Sequence, residues 1–569
     1  MTAVRAVRVI TEVGAVDRPF DYSVSAASTQ VGLGDRVRVD FNHRSVRAWV
    51  VADVEPRDEL KAITKWLGYG PPPSMLELLA WASERWYSPL SRFLISTSPK
   101  RLVTTLPVAP DAPTLDSRVR EGAGDFAAGV WHVAPTTDPL AMILGAYEET
   151  RERPGSLLVL VPTESWATRL RGRLEQRGLP VASGEHEWDR MRAGWPVVVG
   201  SRGVALAPVP RVAGAVVVDA DDEAFESEAA PTWDAFSLLR ERCRRDCAPW
   251  WATSMVPSPT LVKDALVQTL DDVVAGWPRV RVVDRRHSDP RDGVLSRDAL
   301  DAAHRALGGD DPVAVAVVLQ RLGTGKLFAC QKCGELARCD ECAGAEEEVG
   351  EMLACRDRHE LRANYCRSCG ATNLKRVRVG VTTLARDVAA QLSQPVSEIT
   401  AASDLNSPLS RVVVGTEAIW QRVRHCGVVI FVDFDQYLLA PRESARRGAL
   451  TAVGKAGRLV GARRDGHGEV VIQTRRGNDP VVRALESGDV SAIVREDDAT
   501  AALLGMPPYG ALAHVSGPGA TSFVAQLQAP VTVHATSDGF EVRAAALEDL
   551  TSALRGVSRP TEKVRVAVR

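Results

Sequence analysis

Apolar and polar positions change their spacing several times along this chain, and each change marks out a unit. Up to about residue 65, short apolar-rich runs (VRAVRVI, FDYSV, DRVRVDF, VRAWVVADV) predict β-strands, with a turn at VGLGD between two of them. Three prolines, Pro71 to Pro73, stop that pattern. SMLELLAWASERWYS then carries apolar residues at helical spacing, and Ser74 is placed to cap the helix. PVAPDAPTLDSRVREGAGD, 107 to 125, has the composition of a linker.

From about residue 127 the grammar becomes buried strand, amphipathic helix, buried strand: LLVLVP, SWATRLRGRLEQRG, PVVVG, AGAVVVDADD. Strands apolar throughout, alternating with helices, predict a parallel sheet covered on both faces. The unit recurs. VVVGS (197–201) precedes GAVVVDADD, and VVVGT (412–416) precedes GVVIFVDFD. Such a repeat predicts two related α/β lobes. MPPYGALAHVS, APVTVHAT, AALEDLTSALRGV and KVRVAVR close the chain as an α+β unit.

Composition adds constraints. The 569 residues exceed one core, and the net charge of -2 offers no global basic field for nucleic acid. The N-terminus lacks the apolar stretch of a signal peptide, and VAVAVVL from Val313 is too short to span a bilayer. A cytoplasmic location is expected, with no membrane partner. Of ten cysteines, seven fall between Cys330 and Cys369. CQKCGELARCDEC supplies Cys330, Cys333, Cys339 and Cys342; CRDRH supplies Cys355; CRSCG supplies Cys366 and Cys369. Each CxxC puts two thiolates on one turn at zinc spacing. Seven thiolates fall one short of two four-ligand sites, so His359 is the expected eighth ligand, the alternative being a solvated histidine. Two structural zinc ions per chain follow. From Phe328 to Thr372 acidic residues outnumber basic ones nine to six, which suits protein docking better than DNA contact. Cys243 and Cys247 have no partner pair nearby and read as ordinary thiols.

Layout and motifs together resemble the PriA-type family, primosomal protein N′, of superfamily 2 helicase relatives. FDY with DRVRVDF resembles that family's N-terminal motif, VVVGSRGVALAPV its "GTRSALF" block, and GKAGRLVGAR its motif VI; GEVVIQT and MPPY match later blocks. The resemblance implies a multidomain α/β fold: a β-rich 3′-DNA-end-binding domain (1–65), a winged-helix-like module (66–106), a linker (107–126), helicase-like lobe one (127–270), lobe two (271–327 and 373–494) interrupted by a zinc insertion (328–372), and a C-terminal α+β domain (495–569). It implies a nucleoid-associated, monomeric replication-restart protein. Such a protein recognises abandoned forks and helps reload the replicative helicase. Its partners would be branched or forked DNA, single-stranded 3′ ends, primosome and helicase-loading proteins and single-stranded-DNA-binding protein. Family motifs point to Phe20, Asp21 and Lys61 as DNA-binding residues, with Asn42 standing where the family has Gly. They also pair Cys330, Cys333, Cys366 and Cys369 at one zinc, and Cys339, Cys342, Cys355 and His359 at the other. Arg36, Arg38, Arg44 and Arg47 are further DNA-facing cations or, equally, the polar faces of strands.

The motor motifs depart from that family. A P-loop needs GxxxxGK[ST]; at its place the chain reads GVWHVAPTTDPLAM, without lysine and with Pro135 and Asp138 in the loop. GK occurs in GTGKL (323–327) and VGKAG (453–457), neither followed by Ser or Thr. The family's "DEEH" becomes Asp219, Ala220, Asp221, Asp222, and "GSATPS" becomes TSMVPS. In motif VI, Gln becomes Thr451 and one Arg becomes Lys455, while Arg458 persists. Asp219, Asp222 and Arg458 are therefore expected to form a degenerate nucleotide site, with ATP and magnesium doubtful and no catalytic residue. Three functions follow as expectations: a restart protein without its own helicase activity; an active 3′-to-5′ helicase with a divergent site; and a zinc-ribbon scaffold working only through protein contacts.

Overall fold

The computed structural model describes residues 5–569 apart from 14–17, 26–29, 58, 228, 230, 264, 266, 287–292, 321–327, 342–345, 350–351, 356–359, 377–380, 405–406, 441–443, 537 and 559–561. At the N-terminus five antiparallel strands lie in the order Phe20–Val24, Arg5–Thr11, Arg44–Val54, Arg36–Phe41, Lys65–Gly68. Alternating Val7, Val9, Val37, Val39 and Val50 fill one face, as a period-two pattern requires. The hairpin between Phe41 and Arg44 turns on Asn42 and His43, both at positive φ (47° and 58°). A two-residue loop with both φ positive matches the right-handed twist of the strands, and Asn tolerates that region better than most residues. This accounts for Asn at a position where Gly was expected.

Two helices follow, Pro73–Arg85 and Leu90–Thr97. Ser74 is not the cap. It lies in the first turn, and its hydroxyl donates to the Pro210 carbonyl at 2.6 Å, tying the helix to lobe one. The segment read as a linker is also held. Leu115 is buried, Asp116 caps the short helix Ser117–Glu121, and the Tyr147 hydroxyl donates to the Pro113 carbonyl at 2.6 Å.

Lobe one is a seven-stranded parallel sheet. Its order is Val267–Thr269, Gly129–His132, Trp250–Ser254, Val212–Val217, Ser156–Leu160, Val197–Gly200, Val181–Ala182. Lobe two has six strands, in the order Arg279–Asp284, Glu469–Thr474, Val428–Phe431, Val315–Val318, Val412–Gly415, Val396–Ile399, again all parallel. The repeat seen in the sequence is spatial too. In each lobe one strand separates the VVVG strand from the acid-ending strand: Ser156–Leu160 in lobe one, Val315–Val318 in lobe two. These apolar runs are buried along their full length, as sheets covered on both faces demand.

Lobe one, the two N-terminal helices and the C-terminal sheet share a single hydrophobic core that runs from Ile10 to Val568. The C-terminal sheet orders Thr532–Thr536, Gly539–Ala544, Ala511–Ser516, Arg565–Val568. Arg242 holds the VALAPV segment in that core. It is 4% exposed, and its guanidinium donates to the carbonyls of Ala205, Ala207 and Val209 at 3.2, 2.8 and 2.9 Å. Burial draws its pKa down to about 10. Arg242→Ala strands three buried carbonyls, and urea denaturation is expected to show a loss of about 3 kcal/mol or more. Cys243 beside it is buried, which pushes its thiol up to about 12 and suits an inert structural role. Among the described residues no helix is long and apolar enough to cross a membrane.

Candidate nucleotide cleft, DNA-end pocket and metal centre

The candidate nucleotide cleft is built by loops of lobe one and one helix of lobe two. Strand Gly129–His132 leads through Val133 to Pro139 into helix Leu140–Thr150. A helix start after such a strand is a natural anion site. Here it is filled from within. Asp138 Oδ1 accepts from the Leu140 amide at 3.1 Å, and its two oxygens take Arg173 Nη1 and Nη2 at 2.9 and 2.5 Å. Burial opposes the charge, but Arg173 and that amide outweigh it and hold Asp138 below the usual carboxylate range. Pro135 and Pro139 offer no amide at all.

The acidic loop follows strand Val212–Val217. Asp219 sits at φ 55°, a left-handed conformation that Asp tolerates and that is held here from both sides. Its amide donates to Thr253 Oγ1 at 3.1 Å, and the next amide, of Ala220, donates to the Thr253 carbonyl at 2.8 Å. Each carboxylate of this loop has a partner within the protein. Asp219 takes Arg458 in a bidentate pair, Nη1 at 2.6 Å and Nη2 at 2.7 Å. Asp222 Oδ2 meets the Lys455 ammonium at 2.7 Å, and its Oδ1 accepts from the Ala224 amide at 2.9 Å. Asp221 Oδ2 accepts from the Ser258 amide at 3.2 Å; burial raises its pKa against the pull of hydrogen bonds from Ser254 and Ser258.

Lys455 and Arg458 both come from helix Ala445–Val460 of lobe two. Burial works against the Lys455 charge, yet Asp222, with Glu417 and Asp219 behind it, raises its pKa above the ordinary lysine value. Arg458 also donates through Nε to the Pro135 carbonyl at 2.8 Å, and its guanidinium lies 4.8 Å from the Trp166 ring. Arg458 thus pairs with Asp219, and Asp222 lies in the same loop. Lys455, read from the sequence as one more lost motif residue, turns out to be the partner of Asp222. Trp166 and Arg173 went unnoticed, because nothing in their local spacing signals a cleft, and Asp138 was read only as a residue that excludes phosphate. VGKAG lies inside the same helix and so forms no loop. GTGKL is outside the described residues.

In the N-terminal domain Phe20 and Phe41 meet edge to face at 4.8 Å. Asp21 takes Arg8 Nε at 2.9 Å and Arg57 Nη2 at 3.3 Å, and the Arg8 guanidinium holds it below the usual carboxylate range. Lys61 Nζ lies 3.2 Å from Asp40 Oδ2. Among the described residues no hydrogen bond or ion pair joins Phe20, Asp21 and Lys61 to one another. Of the further cations, Arg36 is not on the surface. It is 5% exposed and donates to the carbonyls of Pro99 and Arg101 at 2.8 and 3.3 Å. Strand alternation alone placed it with Arg38, but the segment after the second helix covers that end of the sheet. Arg47 pairs with Glu12 at 2.7 Å, while Arg38 and Arg44 are exposed.

In the insertion Cys330, Cys333, Cys366 and Cys369 bring all four Sγ atoms within 4.8 Å of one another. Cys330 and Cys369 are 3.6 Å apart, Cys333 and Cys366 3.5 Å. Tetrahedral zinc with Zn–S of about 2.3 Å requires edges of about 3.8 Å, so the four sulfurs fit that ion. Gly334 and Gly370 follow the two knuckles at φ 76° and 69°, and each amide returns to the first cysteine's carbonyl, at 2.9 and 2.8 Å. The Lys332 amide donates to Cys330 Sγ at 3.4 Å, which favours a thiolate there. Cys339 and Cys355 are both buried. Cys342 and His359 fall outside the described residues.

Residues 8–99 match the family described as the 3′DNA-binding domain (3′BD). The chain is 24% identical to the replication restart protein PriA of Thermotoga maritima, over 67% of this chain and 55% of that protein. It is 27% identical to the probable replication restart protein PriA of Mycobacterium leprae, over 88% of this chain and 86% of that one. Among solved structures a DEAD box protein of Methanococcus jannaschii is similar at a TM-score of 0.31 and 11% identity, covering 65% of this chain and 88% of that one. The lobes are recognised by their own strand order, and that likeness adds no weight to it. In sequence, the chain is similar to PriA-type replication restart proteins.

Proposed function

We propose that this is a replication-restart protein that binds branched DNA through its N-terminal domain and works without hydrolysing ATP. The observation that carries the reading is the filled cleft. Asp219, Asp221 and Asp222 are each engaged by groups of the protein itself, and Asp138 occupies the helix start where a phosphate would sit. Asp219, Asp221 and Asp222 are thereby withheld from magnesium, and a triphosphate would meet Asp138 rather than a cradle of amides. The match at residues 8–99 and the PriA relatives support DNA-end binding and a part in restart. In this reading the chain recognises a fork, its lobes serve as a fixed scaffold, and helicase-loading proteins assemble on it. Cys330, Cys333, Cys366 and Cys369 hold one structural zinc; Cys339, Cys342, Cys355 and His359 hold the second. The acidic insertion then faces protein partners rather than DNA.

Fluorescence anisotropy on forked and linear DNA at two salt concentrations tests the DNA side. Forks bearing a nascent 3′ end are expected to bind more tightly than linear duplex. Phe20→Ala should weaken the fork complex by roughly tenfold, the size of one lost base-stacking contact, and leave the duplex affinity unchanged. Equal affinity for fork and duplex in the wild type would overturn fork recognition.

A further inference from the structure

The pairs that fill the cleft also join the two lobes. Asp219, Asp222, Pro135 and Trp166 belong to lobe one, whereas Lys455 and Arg458 belong to one helix of lobe two. Around these charges the contact is close-packed. A Cβ built on Gly454 would lie 2.3 Å from Met255 Sδ and 3.3 Å from Pro135 Cγ, so the helix rests directly on lobe one. Met255 and Val256, at the end of a lobe-one strand, are buried in the hydrophobic core of lobe two. Thr136 Oγ1 donates to the Gly276 carbonyl at 2.9 Å, fixing the would-be phosphate loop to the segment that connects the lobes.

The charges balance locally. Two cations of lobe two meet two carboxylates of lobe one, Asp219 and Asp222 being 5% and 6% exposed. Removing one member of a buried pair leaves its partner uncompensated, so partial opening is strongly disfavoured. A nucleotide that closes lobes does so by giving each lobe something to hold; here the side chains hold each other. Because the pairs are buried, salt screens them little.

We propose that the remnant cleft is an interlobe latch, in which Arg458 and Lys455 bind Asp219 and Asp222 and keep the lobes in one closed arrangement without nucleotide. It rests on the reading that the cleft turns over no ATP. The latch gives that reading a positive role: residues left over from nucleotide binding set the spacing between two rigid lobes.

Interlobe distance distributions test it on the full-length chain. Labels attached through non-cysteine chemistry at Gln176 of lobe one and His304 of lobe two, both exposed, report the spacing. The wild type is expected to give one narrow distribution, unchanged by magnesium-ATP and by raised salt. Asp219→Asn with Asp222→Asn keeps shape and tolerates the left-handed backbone, and it should broaden and lengthen the distribution. Gly454→Leu, a good helix former that collides with Met255 and Pro135, should open the lobes by a route independent of charge. It supplies the test if the double variant loses its circular dichroism signal. A broad or ATP-shifted distribution in the wild type, or unchanged distributions in folded variants, overturns the latch. Phosphate release by the wild type would instead sink the no-hydrolysis reading, so the two failures are distinguishable.

Discussion

Given magnesium-ATP and forked DNA, the purified protein is expected to release phosphate no faster than a blank without protein. Enzymes of ordinary competence turn over at about 1 to 1,000 per second. A P-loop NTPase uses backbone amides and a lysine on the phosphates, a hydroxyl and an acid on magnesium, and a group that orients water. In this cleft the amides are reduced by Pro135 and Pro139, the helix start is closed by Asp138, and Ala220 stands where the family resemblance would put a water-orienting acid. The one surviving arginine is spent on Asp219. Since such groups act as a unit, their losses do not simply multiply, but losing the phosphate cradle alone leaves nothing for the others to act on. The rate should fall at least about 10,000-fold below the usual range. Asp138→Ala would reopen the helix start without restoring amides or lysine, and turnover should stay absent. Measured turnover of about one per second in the wild type would establish a working site and contradict this reading.

The second large effect concerns Cys366→Ser. Structural zinc sites contribute on the order of 10 kcal/mol of apparent folding free energy at neutral pH, and a serine hydroxyl is a poor replacement for a thiolate. The core of the insertion is small: Phe328, Cys330, Ala337, Leu353, Cys366 and Leu374. Four of these are carbon side chains of modest total area, too few to fold such a segment unaided. Atomic emission on the variant should show one zinc equivalent fewer per chain, and limited proteolysis should cut between residues 328 and 374 while the lobes stay intact. Unchanged zinc content would remove Cys366 from the ligand set.

Much of the architecture was legible because it is written in local pattern. VVVG followed by an acid-ending strand occurs twice, and strands buried on both faces can hardly be anything but apolar runs, so the two parallel lobes followed. CxxC with a following glycine is likewise local, and the four sulfurs of Cys330, Cys333, Cys366 and Cys369 converge. The departure of residues 129–142 and 219–222 from the motor motifs was visible as missing residue types. What replaced them was not. Asp219 and Arg458 are far apart in the chain, and their pairing depends on how one lobe lies on the other. Lys455 therefore read as a loss when it is a partner. Arg36 misled for a related reason: alternation gives the side of a strand, but whether that side is covered depends on a segment some sixty residues later. Asp138 could be seen to exclude phosphate; its capture of Arg173 and the Leu140 amide could not.

The core shared between lobe one and the C-terminal sheet bears on how the protein is made. Val568 and Leu554 belong to the same apolar cluster as Val198 and Leu158. During synthesis the strands of lobe one leave the ribosome before the C-terminal sheet that shares this cluster, and that sheet is completed only when Arg565–Val568 pairs with Ala511–Ser516. The cluster as a whole therefore cannot be finished from the N-terminus domain by domain. Lobe two, whose core takes Met255, Val256 and the partly buried Leu270 from its neighbour among the described residues, lies upstream of that sheet and can close while the ribosome is still at work. The cluster that begins first along the chain should then be the last to close, after the second lobe is complete.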